Sequence, residues 1–596
     1  MIMKSDMELM LGNEAVARGA YEAGVVTVSS YPGTPSTEIT EFISKYDAGE
    51  VYCEWAPNEK VAAEVAIGSS FAGARSMCCM KHVGLNVAAD PLYTVSYTGV
   101  NAGLVFVVAD DPGMFSSQNE QDTRFHALSA HVPVLEPSDS EECIKFTKLA
   151  FDISEAFDTP VILRLTTRVA HQRSLVEKGE RSQNVKPYKK DIWKYCMMPA
   201  MAKKRHIAVD ARQKRLAAFS AGAKEDLPFT IPNVVDYAKD SKKTIGVITY
   251  GICYQYSREV FKDASFLKLG LTYPLPDDLI REFAANVDKL IVVEELEPFI
   301  ENHIKTMGIE VTGKQLFTNQ GELGTVAIRK AFFGEEPKCE ALGEDVAIPP
   351  RPPVFCAGCP HRAVFYVLSK MGLRVCGDIG CYSMGAQAPY QGIDSVICMG
   401  ASVSMAHGMT KAMAQCGEID KQKTVAVIGD STFIHSGITS LIDVAYNKGI
   451  STTIILDNSI TGMTGHQQNP AMGFTIRNEQ TVATDLVKLA NAIGITDVQV
   501  VDPFDMKAFR EAVKGATERD NPSVIIAQRP CALLKYVKYG GPAHIDAGKC
   551  VKCGSCMRLG CPAINKKEDG SIVIDASQCV GCGLCFGLCP RSAISK

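Results

Sequence analysis

Eight of the chain's 22 cysteines crowd into the stretch from Cys550 to Cys589. They form two sets: Cys550, Cys553, Cys556 and Cys561, followed by Pro562, and Cys579, Cys582, Cys585 and Cys589, followed by Pro590. A C-x2-C-x2-C run places three thiolates on one tight loop around an iron–sulfur cluster. Where two such runs occur together, the fourth cysteine, before proline, ligates the other cluster. The spacing therefore predicts one [4Fe–4S] cluster on Cys550, Cys553, Cys556 and Cys589, and a second on Cys579, Cys582, Cys585 and Cys561. The run beginning at Ile545 recurs at Ile574 as two copies of one cluster-binding unit, too few for a solenoid. The first set has four residues before its last cysteine where the usual run has three. That extra residue is expected to alter the loop near Leu559 and Gly560 without removing a ligand. A zinc site or free thiols is the competing reading, and the repeat with its two prolines weighs against it.

A second constellation uses oxygen ligands. Thr424 to Asp430 reads as a buried parallel strand ending in an acid, and Ser451 to Asn458 as another ending in Asp-Asn. The stretch between them, His435 to Asn447, has a helical pattern. A right-handed crossover puts both strand ends on one sheet edge, where open α/β sheets bind ligands. Asp430 and Asn458 would then offer side-chain oxygens to one point, which suits Mg²⁺ shared with a diphosphate. The plainer alternative is a turn aspartate and a turn asparagine.

The elements that must position these residues read as parallel α/β structure. Val25 to Ser30, Leu104 to Ala109 and Val161 to Leu165 are short apolar runs separated by helical patterns. Residues 171 to about 240 look less regular. Lys186 to Arg215 holds ten Lys or Arg against two Asp, read as a solvated connector, with a basic surface for a phosphate-bearing substrate or a partner subunit as the sharper alternative. A second α/β unit starts at Thr244 and includes Leu290 to Val293. Ile348 to Pro353 is proline-rich and reads as a stiff linker. A third unit extends to about residue 535. A length of 596 residues suits several domains, and a net charge of −5 gives no sign of nucleic-acid binding. No apolar run is long enough for a membrane span, and Glu8, Asn13 and Glu14 interrupt any signal-peptide core. A cytoplasmic location is the expectation, and there cysteines serve metals or redox chemistry more than disulfides.

Gly429-Asp430-Ser431 with Asp457-Asn458 resembles the thiamine-diphosphate signature, Gly-Asp-Gly followed about thirty residues later by Asn. Gly462-Met463-Thr464-Gly465-His466-Gln467 resembles the Met-Thr-Gly-Gly-Gln run of 2-oxoacid:ferredoxin oxidoreductases. Tyr31-Pro32-Gly33-Thr34-Pro35-Ser36 looks like that family's Tyr-Pro-Ile-Thr-Pro-Ser loop, and Gly68 to Arg75 like its small-residue helix. The likeness spans nearly the whole chain. With Lys81-His82-Val83-Gly84-Leu85-Asn86 and the variant first cysteine set, it comes nearest to the alpha subunits of the family's indolepyruvate branch. The fold class implied is a multidomain α/β thiamine-diphosphate enzyme with parallel-sheet domains and a C-terminal α+β ferredoxin-like module. Its parts would be a pyrimidine-binding domain at 1–180, a basic connector at 181–240, a transketolase-C-like domain at 241–347, a diphosphate- and Mg-binding domain at 354–535 and the two-cluster module at 541–596.

The same resemblance implies residue roles. Asn58-Glu59 opens the helix that runs towards Ala72, and the family's catalytic glutamate maps to Glu59, with Glu64 as the fallback. A first-turn acid stabilised by the helix dipole is the structural alternative. Thr34 would help hold a substrate carboxylate beside backbone N–H groups at a helix start, or else serve as an N-cap. Gly429, Asp430, Ser431, Asn458, Ile460 and Thr464 would bind the cofactor, with Asp430, Asn458 and the carbonyl of Ile460 on Mg²⁺. Cys356, Cys359, Cys381 and Cys531 match the proximal-cluster cysteines of pyruvate:ferredoxin oxidoreductases, and a possible third cluster follows; free buried cysteines are the alternative. His82, His435 and His466 could line a pocket or be satisfied core histidines. The implied reaction is oxidation of an aryl 2-oxo acid with coenzyme A and reduction of ferredoxin. No segment is left for the family's gamma domain, so a beta subunit and a hetero-oligomer are implied. Two rivals stay open: a non-oxidative thiamine decarboxylase with a vestigial tail, excluded by strict dependence on an electron acceptor, and an electron-transfer scaffold, supported if the purified chain never binds the cofactor.

Overall fold

The computed structural model describes residues 7–239, 245–335, 352–416 and 423–596. The proline-rich run Ile348 to Pro353 lies mostly outside them, as does Thr244. The chain divides into two compact units, Met1–Gly343 and Glu344–Lys596.

The first unit is built on a seven-stranded sheet in the order Leu271–Tyr273, Val134–Leu135, Val161–Thr166, Leu104–Asp110, Ser76–Lys81, Thr27–Ser30 and Tyr52–Trp55. Every neighbouring pair is parallel except the first. Leu104–Asp110 and Val161–Thr166 are buried along their whole length, as strands covered by helices on both faces must be. Arg164 sits inside one of them without exposure because Asp110 and Glu136 accept its hydrogen bonds. A four-stranded sheet follows, in the order Lys289–Val293, Ile245–Tyr250, Ser265–Leu269 and Val234–Asp236, the last antiparallel. The strand Leu271–Tyr273 leaves this region to complete the edge of the first sheet, so the two sheets share a strand-bearing segment.

Residues 171–239 hold more secondary structure than the sequence suggests. Pro199–Ser220 is a helix of 22 residues. Two of its three arginines turn inward, while Arg215 stays exposed. Arg212 is buried and donates to the carbonyls of Ser96, Asp158 and His131, and Arg205 donates to Tyr97 and Thr98 and pairs with Asp158.

In the second unit five parallel strands run in the order Arg374–Cys376, Thr424–Gly429, Thr452–Asp457, Ser523–Gln528 and Asp497–Val501. Thr424–Gly429 and Thr452–Asp457 are neighbours in register, so Asp430 and Asn458 emerge at the same edge. The connection between them begins with the short α-helical turn Asp430–Thr432, passes through a π-helical turn at Phe433–Gly437 and continues as the α-helix Ile438–Tyr446.

The cysteine-rich tail folds as two short ladders that interleave its repeats. Ile564–Lys566, after the first cysteine set, pairs with Ile572–Ile574, which leads into the second. His544–Ile545, which leads into the first set, pairs with Ile594–Ser595, after the second. The equivalent bonds Asp575 N–H to Ala563 O and Asp546 N–H to Ala593 O, both 2.8 Å, extend the ladders.

Candidate functional site

Within the first unit the expected helix start is present. The helix Glu59–Ala72 begins after Asn58, whose side chain accepts from the Val61 N–H at 2.9 Å. Glu59 is 4% exposed, whereas Glu64 lies at the surface in an ion pair with Lys60. Gly84 packs directly on the Glu59 carboxylate: a Cβ there would stand 2.6 Å from Oε1. The neighbouring strand Ser76–Lys81 ends in Lys81, to which sequence reasoning assigned no role beyond membership of a motif. Lys81 is buried, its Nζ donates to Ser116 O at 2.7 Å, and its stem packs against Gly33 of the Thr34 loop. Burial pushes the Lys81 ammonium down to about 8, against the opposing pull of Asp111 and Glu59.

Thr34 is not an N-cap. Ser36 takes that position, and its N–H and hydroxyl both donate to Gly33 O. The helix Thr37–Ile43 has seven residues. Buried His82 has its Nε2 3.2 Å from Asn119 O while Nδ1 finds no partner, and burial lowers its pKa.

In the second unit the sheet edge gathers the oxygen donors. Asp430 is 2% exposed and Asn458 is 8% exposed. Burial, reinforced by the charge of Asp457, pushes the Asp430 carboxyl up to about 7. A cation at that point would reverse the penalty, so the donor set fits a divalent ion. Asn469, unremarked in the sequence, donates to Asp430 Oδ2 at 3.2 Å. Asn458 Oδ1 accepts from the Ile460 N–H at 3.3 Å, and the hydroxyls of Thr461 and Ser431 bond at 3.0 Å. Gly429 is glycine because a Cβ would meet the Tyr382 ring at 2.7 Å. The loop Thr461–Gln467 closes on itself through two backbone bonds, and the Thr464 hydroxyl is engaged by Gln467. His435 is buried against Ser436, and His466 is exposed with Nε2 4.0 Å from Cys531 Sγ.

Cys356, Cys359, Cys381 and Cys531 lie in one neighbourhood beside that edge, within range of one another's charges, and among the described residues they form no metal-holding group of three or more side chains. The Cys381 thiol feels the charges of Cys531 and Cys356, and the Cys359 thiol those of Cys356 and Cys381. The Cys531 N–H donates to Asn458 O at 2.9 Å, and Cys381 Sγ lies 3.5 Å from where a Cβ on Gly462 would sit. Burial pushes Cys359 up to about 12 and Cys381 up to about 11. Uncoordinated thiolates would be costly there, whereas iron would hold them deprotonated. Asp378 accepts backbone N–H bonds from Ile379, Gly400 and Ser402 and so anchors the loop that carries Cys381. Buried His361 lies 3.5 Å from the Asn458 amide, and burial pushes its pKa down to about 4.

The ferredoxin-like tail shows two separate cavities. One is lined by Cys550, Cys553, Cys556 and Cys589, the other by Cys561, Cys579, Cys582 and Cys585. Ala357 and Gly358, between Cys356 and Cys359, line the second cavity too. The extra residue of the first set lies in the turn that ends at Gly560, whose φ of +65° follows the 3-10 turn Ser555–Leu559.

Parallel α/β domains, a buried carboxylate edge and a [4Fe–4S] module define a thiamine-diphosphate-dependent oxidoreductase of the 2-oxoacid:ferredoxin type. The family model described as "Pyruvate flavodoxin/ferredoxin oxidoreductase, thiamine diP-bdg" matches residues 18–230. "Thiamine pyrophosphate enzyme, C-terminal TPP binding domain" matches 378–527, and "4Fe-4S binding domain" matches 572–595. The indolepyruvate oxidoreductase subunit IorA of Archaeoglobus fulgidus is 39% identical over 93% of this chain and 92% of its own length. Its counterpart from Methanothermobacter thermautotrophicus is 38% identical over 99% and 97%. The 2-oxoglutarate synthase subunit KorA of Methanothermobacter marburgensis is 26% identical over 48% of this chain and 86% of its own. This chain belongs to the family of indolepyruvate oxidoreductase IorA subunits. No helix among the described residues is long and apolar enough to cross a membrane.

Proposed function

We propose that this chain is the thiamine- and cluster-bearing subunit of an enzyme that oxidises aryl 2-oxo acids such as indolepyruvate. The 2-oxo acid anion and the thiol of coenzyme A would give an aryl-acetyl thioester, carbon dioxide, one proton and two electrons, the electrons passing singly to two ferredoxins. The observation that carries this reading is the adjacency, inside one unit, of the Asp430–Asn458 edge, the Cys356/Cys359/Cys381/Cys531 group and the Cys561/Cys579/Cys582/Cys585 cavity. The names of the relatives support the aryl substrate and a partner subunit, which would carry the family's gamma domain.

Bound thiamine diphosphate would supply the electron sink for decarboxylation. Asp430, Asn458 and the Ile460 carbonyl would hold Mg²⁺ against its diphosphate, with Gly429, Ser431 and Thr464 shaping that edge. Glu59 would hold or move the proton at the aminopyrimidine ring. Thr34 would orient the substrate carboxylate, with the buried Lys81 ammonium adding positive charge. The eight tail cysteines would hold two [4Fe–4S] clusters in the crossed assignment, and the four upstream cysteines a third. The five-part division at 1–180, 181–240, 241–347, 354–535 and 541–596 is part of the same proposal.

The test is anaerobic, coenzyme-A-dependent reduction of a viologen dye by the chain with its partner subunit, across a panel of 2-oxo acids. Aryl pyruvates are expected to give the highest kcat/KM. Pyruvate or 2-oxoglutarate outperforming every aryl substrate would overturn the specificity.

A further inference from the structure

We infer that Arg362 is a redox-tuning residue for the cluster on Cys561, Cys579, Cys582 and Cys585, and that the extra residue in the first cysteine set serves to clamp it there. The inference rests on the ligand assignment proposed above.

Arg362 sits at the start of the helix Pro360–Leu368, three residues after Cys359, and is 1% exposed. Among the described residues its guanidinium meets no carboxylate. Nη1 donates to the Tyr390 hydroxyl at 3.0 Å, to Leu559 O at 3.2 Å and to Gly560 O. Nη2 donates to Cys356 O at 3.0 Å and to Phe355 O. Nε is buried with no partner. A buried cation held only by neutral groups is expensive unless an anion lies close. The candidate anion is evident, because Arg362 lines the cavity of the four cysteines. A [4Fe–4S] core with four thiolates is anionic and gains another negative charge on reduction. A fixed cation beside it favours the reduced state and raises the potential.

The clamp comes from the odd spacing. The second set passes from Cys585 to Cys589 through the short 3-10 turn Phe586–Leu588, whereas the first needs Ser555–Leu559 and then Gly560. The added length brings the Leu559 and Gly560 carbonyls onto Arg362 and Tyr390, whose hydroxyl also donates to Leu559 O. Gly560 has a positive φ, and a Cβ on it would stand 2.8 Å from the Tyr390 oxygen and 2.9 Å from Pro389. The loop that distinguishes the first set therefore fastens the cluster module to the helix that follows Cys359.

The experiment is an EPR-monitored redox titration of the anaerobically purified complex carrying wild-type chain, Arg362→Met or Arg362→Lys, with iron content measured on each. The signal of the cluster concerned is identified by its loss in Cys582→Ser. Arg362→Met is expected to lower that cluster's midpoint potential. Arg362→Lys, which keeps the charge but lacks the Nε–H fork, is expected to lower it less. The cluster on Cys550, Cys553, Cys556 and Cys589 is expected to stay within error of wild type. If Arg362→Met loses iron, the Lys variant decides: a lowered potential supports the assignment and an unchanged one overturns it. Wild-type potential at full iron content in both variants, or an equal shift of both clusters, also overturns it. A wild-type complex in which Cys582→Ser removes no signal sinks the ligand assignment itself, and this inference with it.

Discussion

Glu59 and Glu64 look alike in sequence, two acids one helical turn and a half apart, and burial separates them. Glu59 lies inside against Gly84, while Glu64 is paired with Lys60 at the surface. Glu59→Gln is expected to abolish turnover while leaving the iron content intact; near-normal activity in that variant would remove Glu59 from the mechanism. Gly84→Ala tests the same carboxylate by displacement. Its new methyl would press on Oε1, and a shift of about 1 Å at a reacting group costs about 100-fold in rate. A drop of that order in kcat at unchanged iron content is the expected outcome. The helix start at Asn58-Glu59 was legible because the N-cap chemistry is local. Lys81 was not, because a lysine at a strand end reads as solvent-facing until the Thr34 loop and Glu59 are folded around it.

At the level of elements, the parallel strands were readable because they are mostly apolar and are buried from end to end. The paired ends of Thr424–Gly429 and Thr452–Asp457 followed from that reading by crossover handedness alone. The helix Pro199–Ser220 escaped because most of its basic residues do form a solvated face, Lys203, Lys204, Lys214 and Arg215 among them, and hide the one that turns inward. Arg212 is instead driven down to about 10 by burial and held by three carbonyls. The same economy of arginine occurs inside the first sheet. Arg164 bonds Asp110 and Glu136, and Arg124 bonds Asp122 and Glu294, all buried. Such a network specifies one arrangement, but removing a single member strands its partners. Arg164→Met is therefore expected to destabilise the first unit by about 3–5 kcal/mol. Chemical denaturation followed by near-UV circular dichroism checks it, and a loss under about 1 kcal/mol would show that the carboxylates find other partners.

Over the whole molecule, the order of the parts was available from motifs, but the order of the redox sites was not, because it depends on which loops touch. The Cys356–Cys359 loop lies against both the Asp430–Asn458 edge and one tail cavity. Iron analysis separates the alternatives: about twelve atoms per chain are expected for three clusters and about eight for two. Close to eight in fully active enzyme would remove the upstream cluster. The interleaved ladders of the tail carry a further consequence for biosynthesis. Under the crossed assignment proposed above, the first three tail cysteines to leave the ribosome, Cys550, Cys553 and Cys556, would not complete their ligand set until Cys589 had followed, and Cys561 would wait for Cys579, Cys582 and Cys585. Neither repeat would then mature alone, so the delivery of iron and sulfide to this tail would be a single late event, and a chain interrupted between the repeats would be left with no finished cluster in it.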